Sequence, residues 1–421
     1  MAYLDGIKSV EDLNLDGKRV FVRVDFNVPL DADGKITDDF RIRQAIPTIQ
    51  YIIRNGGLPI VASHLGRPKA NPSPEFSLKP VAERLSELLP EREIIFASDC
   101  IGDGVVEQAR RLQPGQILLL ENLRFYEEEE GKPRGKYATD EEKDAAKKAV
   151  KESQKKFAAA LASLADVYVN DAFGTCHRAH ASMAVMVPNF GENKGCGFLL
   201  QKEIKYLGSI VDATEKPIVA ILGGAKVSDK IGVIENLIDK CDQICIGGAM
   251  AYTLLSAKGV NVAASRVETE ALDIAKNILA KVASSKCELL LPVDHVVSTA
   301  LDDTTPCKVV ENFSDGEMGL DIGPKTRELY ANVVKGAKAV FWNGPMGVFE
   351  NPRYAAGTIA VAQALTECAG NTIIGGGDSA AAIRQFGLDD KVTHVSTGGG
   401  ASLELVEGKS LPGIEALRIA K

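Results

Sequence analysis

The sequence predicts an α/β protein built of parallel sheets covered by helices on both faces, divided into two domains. Three observations carry that prediction. Short runs rich in Val, Ile, Leu and Phe, several of them apolar on both faces, alternate with amphipathic stretches along the chain. Four times in the second half such a run breaks into glycines and restarts at helical spacing, in PIVAILGGAKVSDK (217–230), QICIGGAMAY (243–252), NTIIGGGDSAAA (371–382) and VTHVSTGGGASLE (392–404). And 421 residues exceed what a single domain typically holds.

Taken in order, KRVFVRVDF (18–26), LPIVASHL (58–65), EIIFASD (93–99), QILLLENLRF (116–125) and DVYVNDAF (166–173) read as strands. Between them QAIPTIQYIIRN (44–55) and LKPVAERLSELL (78–89) read as amphipathic helices. The segment 127–165 opens with mixed charges and turns Ala/Lys-rich at helical spacing, which predicts a loop and then a solvated helix. Pro and Gly cluster in PNFGENKGCGFLL (188–200), which marks a domain boundary, and LLQKEIKYLGSIVDA (199–213) reads as one bridging helix. The second half repeats the strand–helix scheme and adds CELLLPVDHV (287–296) and AVFWNGPM (339–346) as strands. Residues 406–421 follow the last glycine junction and are expected to pack back onto the first half. The expected division is 1–190, a connecting segment 191–212, 213–405, and the terminal piece 406–421.

A net charge of −8 argues against a general nucleic-acid partner. No stretch of 18 uninterrupted apolar residues occurs, and MAYLDGIKSVEDLNLDGK carries charges and no apolar core of signal-peptide length, so a cytoplasmic protein without a membrane segment is expected. The eight cysteines are scattered and read as reduced, mostly buried thiols; Cys241 and Cys245 lack a second pair for a zinc site.

The chemistry gathers at strand ends. RVDFNVP (23–29) places Asp25 and Asn27, SHLGRP (63–68) places His64 and Arg67, ENLRF (121–125) places Arg124, and NDAFGTCHRAHAS (170–182) places His177, Arg178 and His180; Arg41 and Arg43 lie in the connection after the first strand. Ligands of open parallel sheets bind at the carboxyl ends of the strands. Arginines recurring there suit a carboxylate or a phosphate. A metal on the histidines is disfavoured, because arginines flank them and no carboxylate or Cys stands at ligand spacing. Asp25 reads as an orienting acceptor more than a general base.

In the second half, glycine after a strand admits a phosphate to the backbone, and the helix that follows offers unpaired N–H groups and the positive end of its dipole. Lys226 and Lys230 share a helix face if the helix starts at Val227 or before, an arrangement that suits a polyphosphate between them. Asp378 and Ser379 stand at a helix start, where they read as N-caps or, for Asp378, as a Mg²⁺ ligand. WNGPMGVFE (342–350) reads as a rigid turn carrying Asn343 and Glu350. No junction fits G-x-x-x-x-G-K-[ST] or G-x-G-x-x-G with a ribose-binding acid.

RVDFNVP, SHLGRP, LLENLRF, DAFGTCHRAHAS, ILGGAKVSDKI, MGLDIGP, WNGPMGVFE, IIGGGDS and VSTGGGASLELVEGK, in that order, closely resemble the phosphoglycerate kinase family over essentially the whole chain. The resemblance implies two Rossmann-like domains joined by a hinge helix, closing on each other for direct in-line phosphoryl transfer between 1,3-bisphosphoglycerate and MgADP in glycolysis and gluconeogenesis. It implies that Asp25, Phe26, Asn27, Arg41, His64, Leu65, Gly66, Arg67, Arg124 and Arg178 hold the phosphoglycerate. Lys226, Lys230, Asn343, Glu350, Gly376, Gly377, Asp378 and Ser379 would meet the nucleotide, with Gly247, Gly248, Gly319 and Leu320 beside the adenine. Arg41, Lys226, Gly377 and Gly400 would be catalytic, Asp378 would bind Mg²⁺, and the protein would be a monomer. Two other classes stay open on the residues alone: a nicotinamide-dependent dehydrogenase, and a non-catalytic nucleotide-binding protein of similar fold. The first would need a dinucleotide fingerprint. Against the second stand Arg41, Lys226, Lys230 and Asp378 together.

Overall fold

The computed structural model describes residues 4–68, 72–212, 215–302 and 304–419. The chain divides into two compact units, Met1–Ile204 with Ser410–Lys421, and Lys205–Lys409.

The first unit contains β1 (Arg19–Val24), β2 (Leu58–Ala62), β3 (Glu93–Phe96), β4 (Gln116–Leu119), β5 (Val167–Asp171) and β6 (Lys194–Cys196). Among the described residues they form one parallel sheet in the order β3-β4-β2-β1-β5-β6. The predicted strands are all present but shorter; the polar residues at their C-terminal ends leave the ladder and become loops, except in β5, which keeps Asn170 and Asp171. All of β5 is buried, as its near-continuous apolar run requires of a strand covered on both faces. The chain leaves β1 towards β2 and leaves β5 towards β6, so a crevice opens at the carboxyl ends of these two neighbours.

Helix Phe40–Arg54 turns Ile42, Ala45, Ile49 and Ile52 onto the core, the spacing that predicted it. Helix Asp140–Ala162 begins where Thr139 Oγ1 accepts from the N–H of Glu142 at 3.2 Å. The charged stretch before it departs from the expected loop. Glu127–Glu130 forms a helical turn ended by Gly131 in the left-handed region, φ 60°, and Glu129 is wholly buried. A buried cation drives this: Glu129 lies against Arg23 on β1.

The second unit contains β7 (Ile218–Leu222), β8 (Gln243–Ile246), β9 (Glu288–Leu290), β10 (His295–Ser298), β11 (Lys308–Val310), β12 (Met318–Ile322), β13 (Ala339–Asn343), β14 (Asn371–Gly375) and β15 (His394–Val395). Among the described residues six of these form a parallel sheet ordered β15-β14-β13-β7-β8-β9, and β11-β10-β12 form a small antiparallel one. The single strand expected over 287–296 is therefore two strands in two sheets. Pro292 separates them, and a proline cannot donate to a ladder.

Helix Phe198–Val211 forms where the bridging helix was expected over 199–213, whose last residue, Ala213, lies outside the described residues, and the division between the units falls within it. The terminal segment is held in the first unit by backbone bonds, Gly413 N–H to Cys176 O at 2.8 Å and Ile419 N–H to Gly6 O at 2.8 Å.

Candidate active site

In the first unit β1 delivers Arg23 and Asp25 to one face of the sheet, two residues apart. The buried Asp25 carboxylate lies 3.2 Å from Arg41 Nη1 and 3.9 Å from His64 Nδ1. Arg41 also donates to Asn27 O at 3.0 Å. Asn27 Oδ1 accepts from the N–H of Gly66 at 2.8 Å, and Arg124 Nη1 donates to Gly66 O at 2.9 Å. The SHLGRP and ENLRF loops are thus tied together through backbone groups. Phe26 and Leu65 are core residues; their N–H groups go to Ser63 Oγ and Asn122 Oδ1, and a ligand would meet at most their backbone. Arg67 stands exposed one residue beyond Gly66.

The histidines of this cluster are neutral. His64 is held well below the usual range by burial and then by Arg124, Arg23, His180 and Arg41. His177 falls to about 4 by burial and the charge of Arg178, and His180 to about 2 by burial, Arg124, Arg23 and Arg178. Burial is the main cause of the neutral imidazoles, and the arginine charges beside them act in the same direction. Arg124 Nε and His180 Nδ1 are buried without hydrogen-bond partners. The arrangement can hold an anion with several oxygens, and it has no activated nucleophile.

In the second unit the ends of β7 and β13 meet. A Cβ on Gly223 would stand 2.0 Å from Pro345 O, and one on Gly344, at φ +98°, 2.2 Å from Gly223 O. Only glycines allow this approach. Helices Gly377–Gln385 and Gly399–Val406 begin at Gly376 and Gly398, with no side-chain cap on either. The Cβ position of Gly399 is 3.9 Å from the N of Gly377, so two sets of free N–H groups converge, with Gly377 and Gly400 exposed in their first turns. Asp378 therefore does not cap its helix. It is exposed in the first turn, while Ser379 is buried and accepts from the N–H of Gly344 at 2.5 Å.

Lys230 donates to Asn343 O at 3.3 Å and more closely to Asn343 Oδ1, which leaves the buried Nδ2 without a partner beside the Gly375–Gly376 turn. Burial pulls Lys230 down to about 8, against the pull of Asp378 and Asp229. Lys226 corrects the helix-face argument. The chain forms a 3₁₀ turn at Ser228–Lys230 and its α-helix starts only at Ile231, so Lys226 is an exposed loop residue off that helix.

A cleft of ≈ 400 Å³ opens beside these groups, lined by Gly248, Gly319, Leu320, Glu350 and Asp378 from the predicted set. Gly247 lies outside the lining and packs on Met346. The cleft also uses Tyr252, Met318, Pro345, Met346, Val348 and Arg266, which sequence reasoning missed. The apolar ones give no chemical signal in a sequence, and Arg266 stands outside every glycine junction. Glu129, Arg23 and Ser182 in the first unit were missed too, although Arg23 inside an apolar strand was a usable signal.

The family model described as phosphoglycerate kinase matches residues 10–409. A phosphoglycerate kinase of Anaeromyxobacter sp. (strain Fw109-5) is 53% identical over 415 residues, covering 98% of this chain and 99% of that protein. One of Clostridium novyi (strain NT) is 51% identical over 414 residues, covering 97% and 98%. Among solved structures, phosphoglycerate kinase from Coxiella burnetii superposes with a TM-score of 0.83 at 38% identity, covering 98% of each chain, and that from Pyrococcus horikoshii OT3 with 0.81 at 32%, covering 97% and 98%.

Proposed function

This chain belongs to the phosphoglycerate kinase family, and we propose from its two sites how its residues divide the reaction. The protein is a phosphotransferase. It moves the phosphoryl group of the acyl phosphate of 1,3-bisphosphoglycerate reversibly to ADP, giving 3-phosphoglycerate and ATP, a step of glycolysis and gluconeogenesis.

The first unit binds phosphoglycerate and the second the nucleotide. The gathering of Arg41 on Asp25 and Asn27 and of Arg124 on Gly66, beside the ends of β1 and β2, carries the first half of this reading. In it Arg41, Arg67, Arg124 and Arg178 neutralise the carboxylate and phosphate, while Asp25 aims Arg41 and His64 and Asn27 orient the substrate. The two uncapped helix starts with Lys230 and Asn343 support the second half. There the amides at 376–379 and at 399–400 receive the nucleotide phosphates, beside a Gly398 N–H already given to Ser396 Oγ, and Gly248, Gly319, Leu320 and Glu350 line the base and ribose cleft.

The bond between phosphorus and the acyl oxygen breaks, its electron pair stays on the carboxylate, and a β-phosphate oxygen of ADP forms the new bond. No proton moves and no side chain is phosphorylated. What the protein supplies is alignment and positive charge on a loose phosphoryl transition state, from Arg41, Lys226 and the amides of Gly377 and Gly400. The exposed Asp378 at the rim of the cleft fits a Mg²⁺ ion, which favours one carboxylate with phosphate oxygens and waters. Held there with the nucleotide, Mg²⁺ would neutralise phosphate charge. We further place the protein in the cytoplasm as a monomer.

An assay of 3-phosphoglycerate with MgATP, coupled to consumption of the acyl phosphate, tests the activity. Running it with chiral γ-phosphate tests the mechanism. Inversion at phosphorus is expected, and retention would indicate a phosphorylated side chain and refute direct transfer.

A further inference from the structure

Arg23 lies inside β1, paired in register with Ala62 on β2 and Asn170 on β5, and is 0% exposed. A guanidinium there keeps its charge, so its loss of water must be met by an anion and by hydrogen bonds. Glu129, also 0% exposed, brings Oε1 to 3.8 Å from Arg23 Nη2. Ser182 joins the two. Its N–H donates to Glu129 Oε2 at 2.9 Å and its hydroxyl to Glu129 Oε1 at 2.6 Å, while Arg23 Nε donates to its oxygen at 2.8 Å. Arg23 Nη1 donates to Val24 O, and Nη2 comes to 3.4 Å from His64 Nδ1.

His64 Nδ1 therefore meets two opposed neighbours. Arg23 Nη2, at 3.4 Å, can only donate; the Asp25 carboxylate, at 3.9 Å, accepts. The nearer one decides. Nδ1 accepts, and the single proton of the neutral ring rests on Nε2. With that tautomer the ring's other nitrogen can donate to an anionic substrate. With the opposite one it would present a lone pair.

We propose that Glu129 is a positioning residue for phosphoglycerate: through Ser182 and Arg23 it fixes His64 as the Nε2–H tautomer. The proposal rests on the reading that His64 faces phosphoglycerate. Glu129 itself lies in a run of four glutamates, so nothing in the sequence distinguishes it from its half-buried neighbours.

Two-bond ¹H–¹⁵N spectra of the ¹⁵N-labelled full chain read the tautomer directly. Wild type is expected to show His64 with Nδ1 unprotonated and Nε2 protonated. Glu129→Gln should move His64 towards the Nδ1–H form and raise the KM for 3-phosphoglycerate by about tenfold, the worth of one hydrogen bond to a charged group. The KM for ATP should not change. A purely structural defect would instead lower the active fraction and leave both KM values alone. Ser182→Ala keeps both charges and removes only the linking hydroxyl, so it should shift tautomer and KM in the same direction and decides the matter if Glu129→Gln does not fold. A wild-type Nδ1–H tautomer, or folded variants with unchanged tautomer, would overturn the proposal. A changed tautomer with an unchanged KM for 3-phosphoglycerate would leave the Glu129 linkage standing and refute the contact between His64 and substrate.

Discussion

Above pH 8, Lys230 of the free protein should be mostly neutral, and nucleotide binding should recharge it. Burial pulls its pKa from 10.5 to about 8. At that value about nine tenths of the molecules carry the proton at pH 7, half at pH 8 and about a tenth at pH 9. A polyphosphate beside the amine favours the ammonium, so binding at pH 8 should take up about half a proton. Above that pH nucleotide affinity should fall by up to about tenfold per pH unit. Calorimetric titration with ADP in buffers of different ionisation enthalpy measures the uptake, and Lys230→Met should abolish it. Stability follows with a definite sign. The folded pKa lies below the unfolded one, so between pH 8 and 10.5 the unfolded chain holds more protons and stability should rise with pH. The rise is bounded at about 3 kcal/mol and should be missing from Lys230→Met. No uptake by the wild type at pH 8, or equal uptake by the variant, would refute the reasoning.

Arg41→Ala and Lys226→Ala should each lose turnover far more than ground-state binding, by about 3–5 kcal/mol of barrier; near-normal kcat in either variant would remove that residue from the transition state. Arg67→Ala and Arg178→Ala should weaken 3-phosphoglycerate binding and leave ADP binding unchanged, which calorimetry of both ligands checks. Gly223→Ala places a methyl 2.0 Å from Pro345 O and should force the ends of β7 and β13 apart, costing about 1–3 kcal/mol in denaturant unfolding and weakening ADP binding.

Local signals in the sequence carried most of the fold. Apolar runs leading into glycine marked β7, β8, β14 and β15; after β7 and β8 the glycine lets the strand end meet another backbone, and after β14 and β15 it opens a helix. Strand order was not legible, since it depends on contacts between distant segments. The run 287–296 looked continuous because both of its strands are apolar, and only Pro292 betrayed the break. The charged residues of the candidate site could be read because their type announces their chemistry. Tyr252 and Met346 could not, since an apolar cleft wall resembles any core. Glu129 was hidden by a different cause: burial of one acid in a run of four is decided by a partner more than a hundred positions away.

The division of reactants between the two sites can be measured residue by residue, from the side-chain Nε–H signals of Arg41, Arg124 and Arg178 and the amides of Gly377 and Gly400. Titration with 3-phosphoglycerate alone should shift the arginine signals and leave the glycine amides in place, and ADP alone should do the reverse. Arginine signals that answer to ADP, or glycine amides that answer to 3-phosphoglycerate, would contradict the assignment on which the reaction scheme stands.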